Sequence, residues 1–240
     1  ADLEARHLAD LRFAEVSRAL RALSSSYVER RAKIGEGAAL SGAGKRAAFA
    51  LFYGPLHFLF VKQMAKEFSR LSPAATIVDL GCGTGAAGAA LAVASGHTTE
   101  IVAVDRHPWA VDEARRTYRA FGLRARVQVQ DLQRTALPPR SLALAAYALN
   151  ELDQSAREAV GEQLLDHAAR GGAALIVEPL AGFVSPWWKT WTSRWEAAGG
   201  RADEWRFRVP LPPMVAKLDK AAGLRHETLT GKTLSLNVSP

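Results

Sequence analysis

Cysteine is nearly missing from this chain. The single Cys82 excludes an internal disulfide, no Cys/His cluster has the spacing of a structural zinc or iron–sulfur site, and a reducing cytoplasm is the expected compartment. Long apolar runs are scarce as well: the longest, Ala47 to Val61, is too short for a bilayer and is broken by Gly54-Pro55, so no membrane span is expected. The chain begins without methionine, and Asp2, Glu4, Arg6, Asp10 and Arg12 leave no apolar signal-peptide core in its first residues. "SGAGKR" and "TGKT" contain Gly-Lys but lack the G-x-x-x-x-G-K-[ST] spacing, which excludes a phosphate loop. No set of carboxylates and histidines compels a metal.

What the chain has is bulk and positive charge. Its 240 residues, 48% hydrophobic, suffice for a large buried core. The 31 basic side chains exceed the 24 acidic ones unevenly: residues 1–72 carry twelve basic and seven acidic, residues 73–180 ten and twelve, residues 181–240 nine and five. The surplus thus lies outside the central block. Such flanks suit an acidic partner such as RNA, and equally a plain solvated surface, because +7 on 240 residues is moderate. The excess of Ala, and of Arg over Lys, points to a bacterial source.

Leu8, Leu11, Val16, Leu20, Leu23 and Tyr27 form one apolar stripe, which predicts an amphipathic helix over residues 3–30. The glycine-rich "IGEGAALSGAGK" follows, then a second helical stretch from Lys45, interrupted at Gly54-Pro55, with Pro55 opening a new helix that reaches Phe68. Residues 1–72 therefore read as an all-helical N-terminal cap. From Thr76 the pattern alternates. Strands are expected at "TIVDL", "EIVAVD", "RVQVQD", "LALAAY" and "AALIVEP", and helices near 86–95, 107–121 and 153–169, which signals a doubly wound parallel sheet. Asp79, Asp105, Asp131 and Glu178 close four of these strands, at the edge where open α/β sheets bind ligands. After the helix "PPMVAKLDKAAGL", the strands "HETL" and "LSLNV" around the turn "TGKT" are too close for a crossover, so an antiparallel hairpin is expected. The expected fold class is α/β: a doubly wound, Rossmann-like sheet whose five parallel strands and final hairpin fit a seven-stranded class I methyltransferase sheet better than a six-stranded all-parallel dinucleotide domain. Residues 73–240 form it, with a Trp-rich insertion at about 181–210.

"VDLGCGTGAAG", residues 78–88, satisfies both the dinucleotide fingerprint G-x-G-x-x-G/A and the D-x-G-x-G-x-G pattern of S-adenosylmethionine (SAM) sites. Gly81, Gly83 and Gly85 let backbone turn and approach a ligand under either reading. Asp79 separates the two, because a carboxylate beside the loop repels a pyrophosphate and attracts the ammonium and sulfonium of SAM. Asp105 stands where a carboxylate can accept both ribose hydroxyls, or cap the helix starting near Pro108. Asp131 can accept an adenine amino group while Leu132 covers the ring, and the neighbours Cys82 and Arg106 join the expected cofactor set.

"VDLGCGTG", "VDRHPWAVDEA" and "VQDLQ" resemble motifs of the class I SAM-dependent methyltransferase superfamily, over about residues 74–238. The resemblance implies SAM as methyl donor, S-adenosylhomocysteine as product, and Asp79, Gly81, Gly83, Asp105 and Asp131 in the cofactor site. "LRALSSSYVERR", "YGPLHF", "YALNEL" and "VEP" are also similar to segments of the ribosomal small-subunit methyltransferase-like family of mitochondria and bacteria. Members of that family can carry a cysteine cluster, which this chain lacks.

After the fourth strand, Asn150 and Glu151 could bind or deprotonate an acceptor, Asn150 could also contact the cofactor, and it could equally cap the next helix. Tyr53 and His57 are further candidate bases, or packed core residues. Trp187, Trp191 and Trp195 share one helical face with Trp188 beside them. Three readings fit: a packing stripe, an interfacial membrane helix, or an aromatic wall over the acceptor in which Trp187, Trp188, Trp191 and Glu178 bind substrate. Two rival classes remain: a nicotinamide- or flavin-dependent oxidoreductase, and a non-catalytic assembly factor that keeps the cofactor fold.

Overall fold

The computed structural model describes residues 2–29, 40–68, 76–96, 99–181 and 185–238. The side chain of Tyr27 and most of the glycine-rich segment lie outside them.

Five strands, Thr76–Leu80 (β1), Glu100–Asp105 (β2), Ala125–Val129 (β3), Leu142–Ala146 (β4) and Ala173–Glu178 (β5), pair in parallel. Arg201–Phe207 (β6) and Leu229–Leu236 (β7) complete a sheet of order β3-β2-β1-β4-β5-β7-β6, with β7 antiparallel to β5. β5 is buried at every position, as expected of a parallel strand covered on both faces. The order reverses between β1 and β4, which makes the loop after β1 the ligand-binding crevice of such a sheet.

Helices α5 (Ala86–Ala94), α6 (Pro108–Ala120) and α7 (Gln154–Ala169) lie within a residue of their expected bounds. Each begins differently. Gly85 opens α5 in the left-handed region, the His107 ring caps α6 ahead of Pro108, and Asp153 caps α7 by accepting the Ala156 N–H at 2.8 Å.

The C-terminal third departs from expectation in two places. The sheet does end antiparallel, but Thr230, Gly231, Lys232 and Thr233 lie inside β7, and "HETL" contributes only its last residue to a strand. Gly231 is there for packing, since a Cβ on it would fall on the Phe60 ring. The Trp-rich segment supplies helix α8 (Trp188–Ala197) and strand β6. β6 was hidden by Arg201, Glu204 and Arg206, whose exposed charges suit a sheet edge and mask apolar alternation.

The chain forms two compact units, Ala1–His57 with Arg208–Leu229, and Phe58–Phe207 with Thr230–Pro240. This division falls within helix α4 (Gly54–Lys66), whose later residues belong to the sheet unit: Phe58 stacks on Phe121 at 4.9 Å, and Phe60 meets Phe207 at 5.7 Å. The first unit contains α1 (Asp2–His7), α2 (Phe13–Glu29), α3 (Ala43–Ala48) and α9 (Pro213–Ala221). The expected single helix over 3–30 is two, because the Glu15 carboxylate accepts the Arg12 N–H at 2.8 Å and starts α2 afresh. Gly54-Pro55 does not break its helix. Pro55 has no N–H, and the ladder loosens to a π segment over Phe49–Tyr53 before continuing as α4.

Candidate functional site

The site begins with backbone. Gly81, Gly83 and Gly85 have φ of 70°, 52° and 75°, a conformation costly for any residue with a Cβ. A Cβ on Gly81 would stand 2.7 Å from the Ala148 Cβ and 3.3 Å from Leu132 Cδ2, so this glycine brings the loop after β1 against the segments after β3 and β4. Gly85 leaves α5 without a side-chain cap, and its N-terminal N–H groups face the same crevice edge.

Asp79 sits lower than expected. Its carboxylate is 1% exposed and accepts the Tyr118 hydroxyl at 2.8 Å, so it is turned into the protein and does not line the crevice. Gly88 makes room for it, since a Cβ there would collide with Oδ2. Burial pushes its pKa up to about 6, against hydrogen bonds from Tyr118 and Gly88 that hold it down. It remains largely ionised at neutral pH, so its influence on a ligand is the field of a negative charge beneath the loop, unfavourable to a pyrophosphate and favourable to a cation.

Asp105 organises the loop from the neighbouring strand. One oxygen accepts the Gly83 N–H at 2.9 Å and the other the His107 N–H at 2.8 Å; His107, not Asp105, caps α6. Each oxygen keeps a lone pair, so the carboxylate can still accept ribose hydroxyls. Asp131 is exposed and accepts the Gln133 N–H at 2.9 Å, with Leu132 beside the Gly81 approach. Arg106 is exposed, and Cys82 is a buried thiol whose pKa burial raises. The residues fit SAM: a glycine-lined backbone for the amino-acid end, carboxylates for ribose and adenine, and negative charge for the sulfonium.

A second cluster forms at the same edge after β4 and β5. Glu178 is fully buried and accepts from the Asn150 side-chain amide and, at 3.3 Å, from its backbone N–H. Asn150 also donates to Ser185 at 3.1 Å and accepts the Trp187 indole N–H at 3.0 Å. Every polar atom of that amide is engaged, so Asn150 is a positioning residue. It caps no helix, because Asp153 does. Tyr147, which the sequence did not single out, turns the chain here with a φ of 58°, a strained value for a tyrosine, beside Glu178. Glu151 is exposed on a 3-10 turn.

Other expected site residues go elsewhere. Trp191 and Trp195 are fully buried and stack at 5.2 Å, Trp191 donating to Glu158 at 3.1 Å, so these rings are core and no wall over an acceptor. Trp187 is buried, and Trp188 is half-buried. Tyr53 and His57 belong to the first unit. Burial lowers His57 to about 3 and raises Tyr53 to about 12, the latter against a hydrogen bond from Ser24. An imidazole that binds protons so weakly is a poor base at neutral pH. It packs edge-on against Phe49 at 6.2 Å.

Residues 77–172 match the family described as Methyltransferase domain. Among solved structures, an O-methyltransferase family protein from Burkholderia thailandensis is 18% identical, with 93% of this chain and 72% of that one covered and a TM-score of 0.54. Human N-acetylserotonin methyltransferase, solved with SAM, is 16% identical over 93% of this chain and 66% of that one, with a TM-score of 0.56. An O-methyltransferase of neocarzinostatin biosynthesis, solved with SAM and 2-hydroxy-5-methyl naphthoic acid, is 15% identical over 98% and 74%, with a TM-score of 0.55. No curated protein matches the chain. At these identities structural likeness establishes the fold.

Sheet order and glycine loop are those of the class I methyltransferase fold, and residues 77–172 within it are a methyltransferase domain. Near the C-terminal end of β5 the chain also carries the ring pair Trp187–Trp188, 5.4 Å between centres, and the cross-strand pair Glu178–Lys232.

Proposed function

We propose that this protein is a cytoplasmic bacterial methyltransferase that transfers the methyl group of SAM to RNA. The observation that carries the donor half is the loop of three positive-φ glycines with Asp105 and Asp131 at the same edge. Bound SAM would supply an electrophilic methyl on a sulfonium, the acceptor bonding to that carbon in line as the carbon–sulfur bond breaks and S-adenosylhomocysteine leaves. The chain's contribution is alignment and exclusion of water. Gly81 to Gly85 would hold the amino-acid end, Asp105 the ribose, and Asp131 with Leu132 the adenine, while Asn150, itself bonded to Ser185, fixes Glu178 at the same edge. A dedicated base is optional for this reaction.

The RNA half rests on the basic flanks of residues 1–72 and 181–240, and the resemblance to the ribosomal small-subunit methyltransferase-like family points the same way. The reducing compartment rests on the single cysteine, and the bacterial source on the Ala and Arg content. Among the described residues no helix is long and apolar enough to cross a membrane.

Calorimetry tests the donor half. Asp105→Ala should weaken SAM binding by about 1.5–3 kcal/mol, the worth of lost charge-assisted hydrogen bonds, and loosen the Gly83 turn. Binding of NAD in place of SAM by the wild type would overturn the reading. Labelled-methyl transfer to cell extract, with and without ribonuclease, tests the acceptor: transfer that survives ribonuclease rules out RNA.

A further inference from the structure

The apolar register of one sheet face ends in charge. Along β5, Ala174 and Ile176 enter the tryptophan-lined core opposite Leu236 and Leu234 of β7, and the next rung is Glu178 opposite Lys232. An apolar pair would extend that core, whereas two buried ionisable groups are unfavourable unless each is satisfied. Asn150 satisfies Glu178. Lys232 is only 4% exposed, and among the described residues no hydrogen bond or ion pair reaches its ammonium, which lies 4.5 Å from the centre of the Trp188 ring.

Arg157 repeats the arrangement one ring away. Its guanidinium carbon is 5.5 Å from the centre of Trp187, Nη1 donates to the Leu152 carbonyl at 3.0 Å, and among the described residues its buried Nε has no partner. The other carboxylates near these cations are taken: Glu158 by Arg194 and Trp191, Asp153 by the start of α7, Glu204 by Arg206. Both cations lie within the field of one buried carboxylate, Glu178, which is itself bound by Asn150.

We propose that Lys232 and Arg157, seated on Trp188 and Trp187, form a binding site for an oxyanion of the methyl acceptor, a phosphate or a carboxylate. The proposal rests on the methyltransferase reading for the identity of that ligand as acceptor. The ammonium offers three N–H donors and the guanidinium its free Nε–H, and the indole faces desolvate both. Asn150 and Ser185 keep Glu178 on its own partners, so the lysine stays available. Burial lowers the Lys232 pKa, opposed by Glu178 and Glu204, and a bound oxyanion would hold the ammonium in its charged form. β4 and β5 separate β7 from β1, so Lys232 stands about 14 Å across the sheet from the strand that carries the glycine loop, at ordinary strand spacing.

The test titrates inorganic phosphate, benzoate and a short oligoribonucleotide into the full chain loaded with S-adenosylhomocysteine, following tryptophan fluorescence and calorimetry. A saturable response in the wild type is expected, at least tenfold weaker in Lys232→Met and largely kept in Lys232→Arg, with SAM affinity within twofold in both. Strongest binding of the oligoribonucleotide assigns the oxyanion to RNA phosphate, and strongest binding of benzoate assigns it to a small carboxylate. Should Lys232→Met fail to fold, Arg157→Gln should weaken the same probes at least fivefold. No saturable response to any probe, or wild-type affinity in Lys232→Met, overturns the site. Failure of the wild type to bind SAM overturns the proposed function instead, and the phosphate titration of the unloaded chain then still decides whether the oxyanion site exists.

Discussion

Asp79 ties stability to pH in the acid range. Its folded pKa, about 6, lies above the ordinary carboxylate value of 3.8, so the native state binds more protons than the unfolded chain between those values. Stability from this group therefore falls as pH rises through about 4 to 6, and above 6 the full cost of the buried charge is present. Tyr118→Phe removes a donor from the ionised carboxylate and not from the neutral acid to the same extent. It should cost about 1–3 kcal/mol at pH 7.5 and distinctly less at pH 4, as read by urea unfolding at the two pH values. Equal losses at both would mean that Asp79 does not change its charge over that range.

At the scale of elements, α7 and α8 meet through a glycine. Gly161 lies under the Trp191 ring, where an added Cβ would come within 2.5 Å of Cη2. Gly161→Ala gains helix propensity of about 1 kcal/mol but overpacks a rigid indole, and the net effect should be a loss of roughly 1–2 kcal/mol. Trp191→Ala should cost about 3–5 kcal/mol, because a fully buried ring and its stack on Trp195 are lost together. Thermal unfolding checks both. A Trp191→Ala variant that melts like the wild type but no longer methylates its acceptor would restore the aromatic-wall role that the structure removes. The helix formed because tryptophans four apart share a face; that the face is inward depended on Ile176 and Leu234 across from it.

For the whole molecule, charge is gathered by folding more than by sequence position. The first unit, assembled from residues 1–57 and 208–229, carries thirteen basic and eight acidic side chains, and the sheet unit eighteen and sixteen. Most of the surplus therefore sits on the smaller unit. If RNA is the acceptor, its binding should weaken about tenfold or more between 50 and 200 mM salt, since a few neutralised phosphates release their counterions. Filter binding or fluorescence anisotropy with extract RNA measures this, and binding indifferent to salt would favour a small-molecule acceptor.

The parallel strands, three of their helices and the glycine loop were legible because their causes are local. Continuous apolar runs, cap residues and a D-x-G-x-G-x-G spacing act within a few neighbours of each residue. Asp79 at the end of a strand was legible too, as was the helical face shared by the tryptophans. What the sequence could not reveal depends on groups far away in the chain. Gly231 looks like a turn residue until the Phe60 ring lies against it, and "RADEWRF" looks like a loop until β7 pairs beside it. Asp79 looks like a ligand residue until Tyr118, 39 positions later, turns it inward. Lys232 looks like a surface lysine until the antiparallel register sets it opposite Glu178 and on Trp188. Local spacing determined which elements exist; long-range packing, through close approach and burial of charge, decided which side chains turned inward and what each was set against.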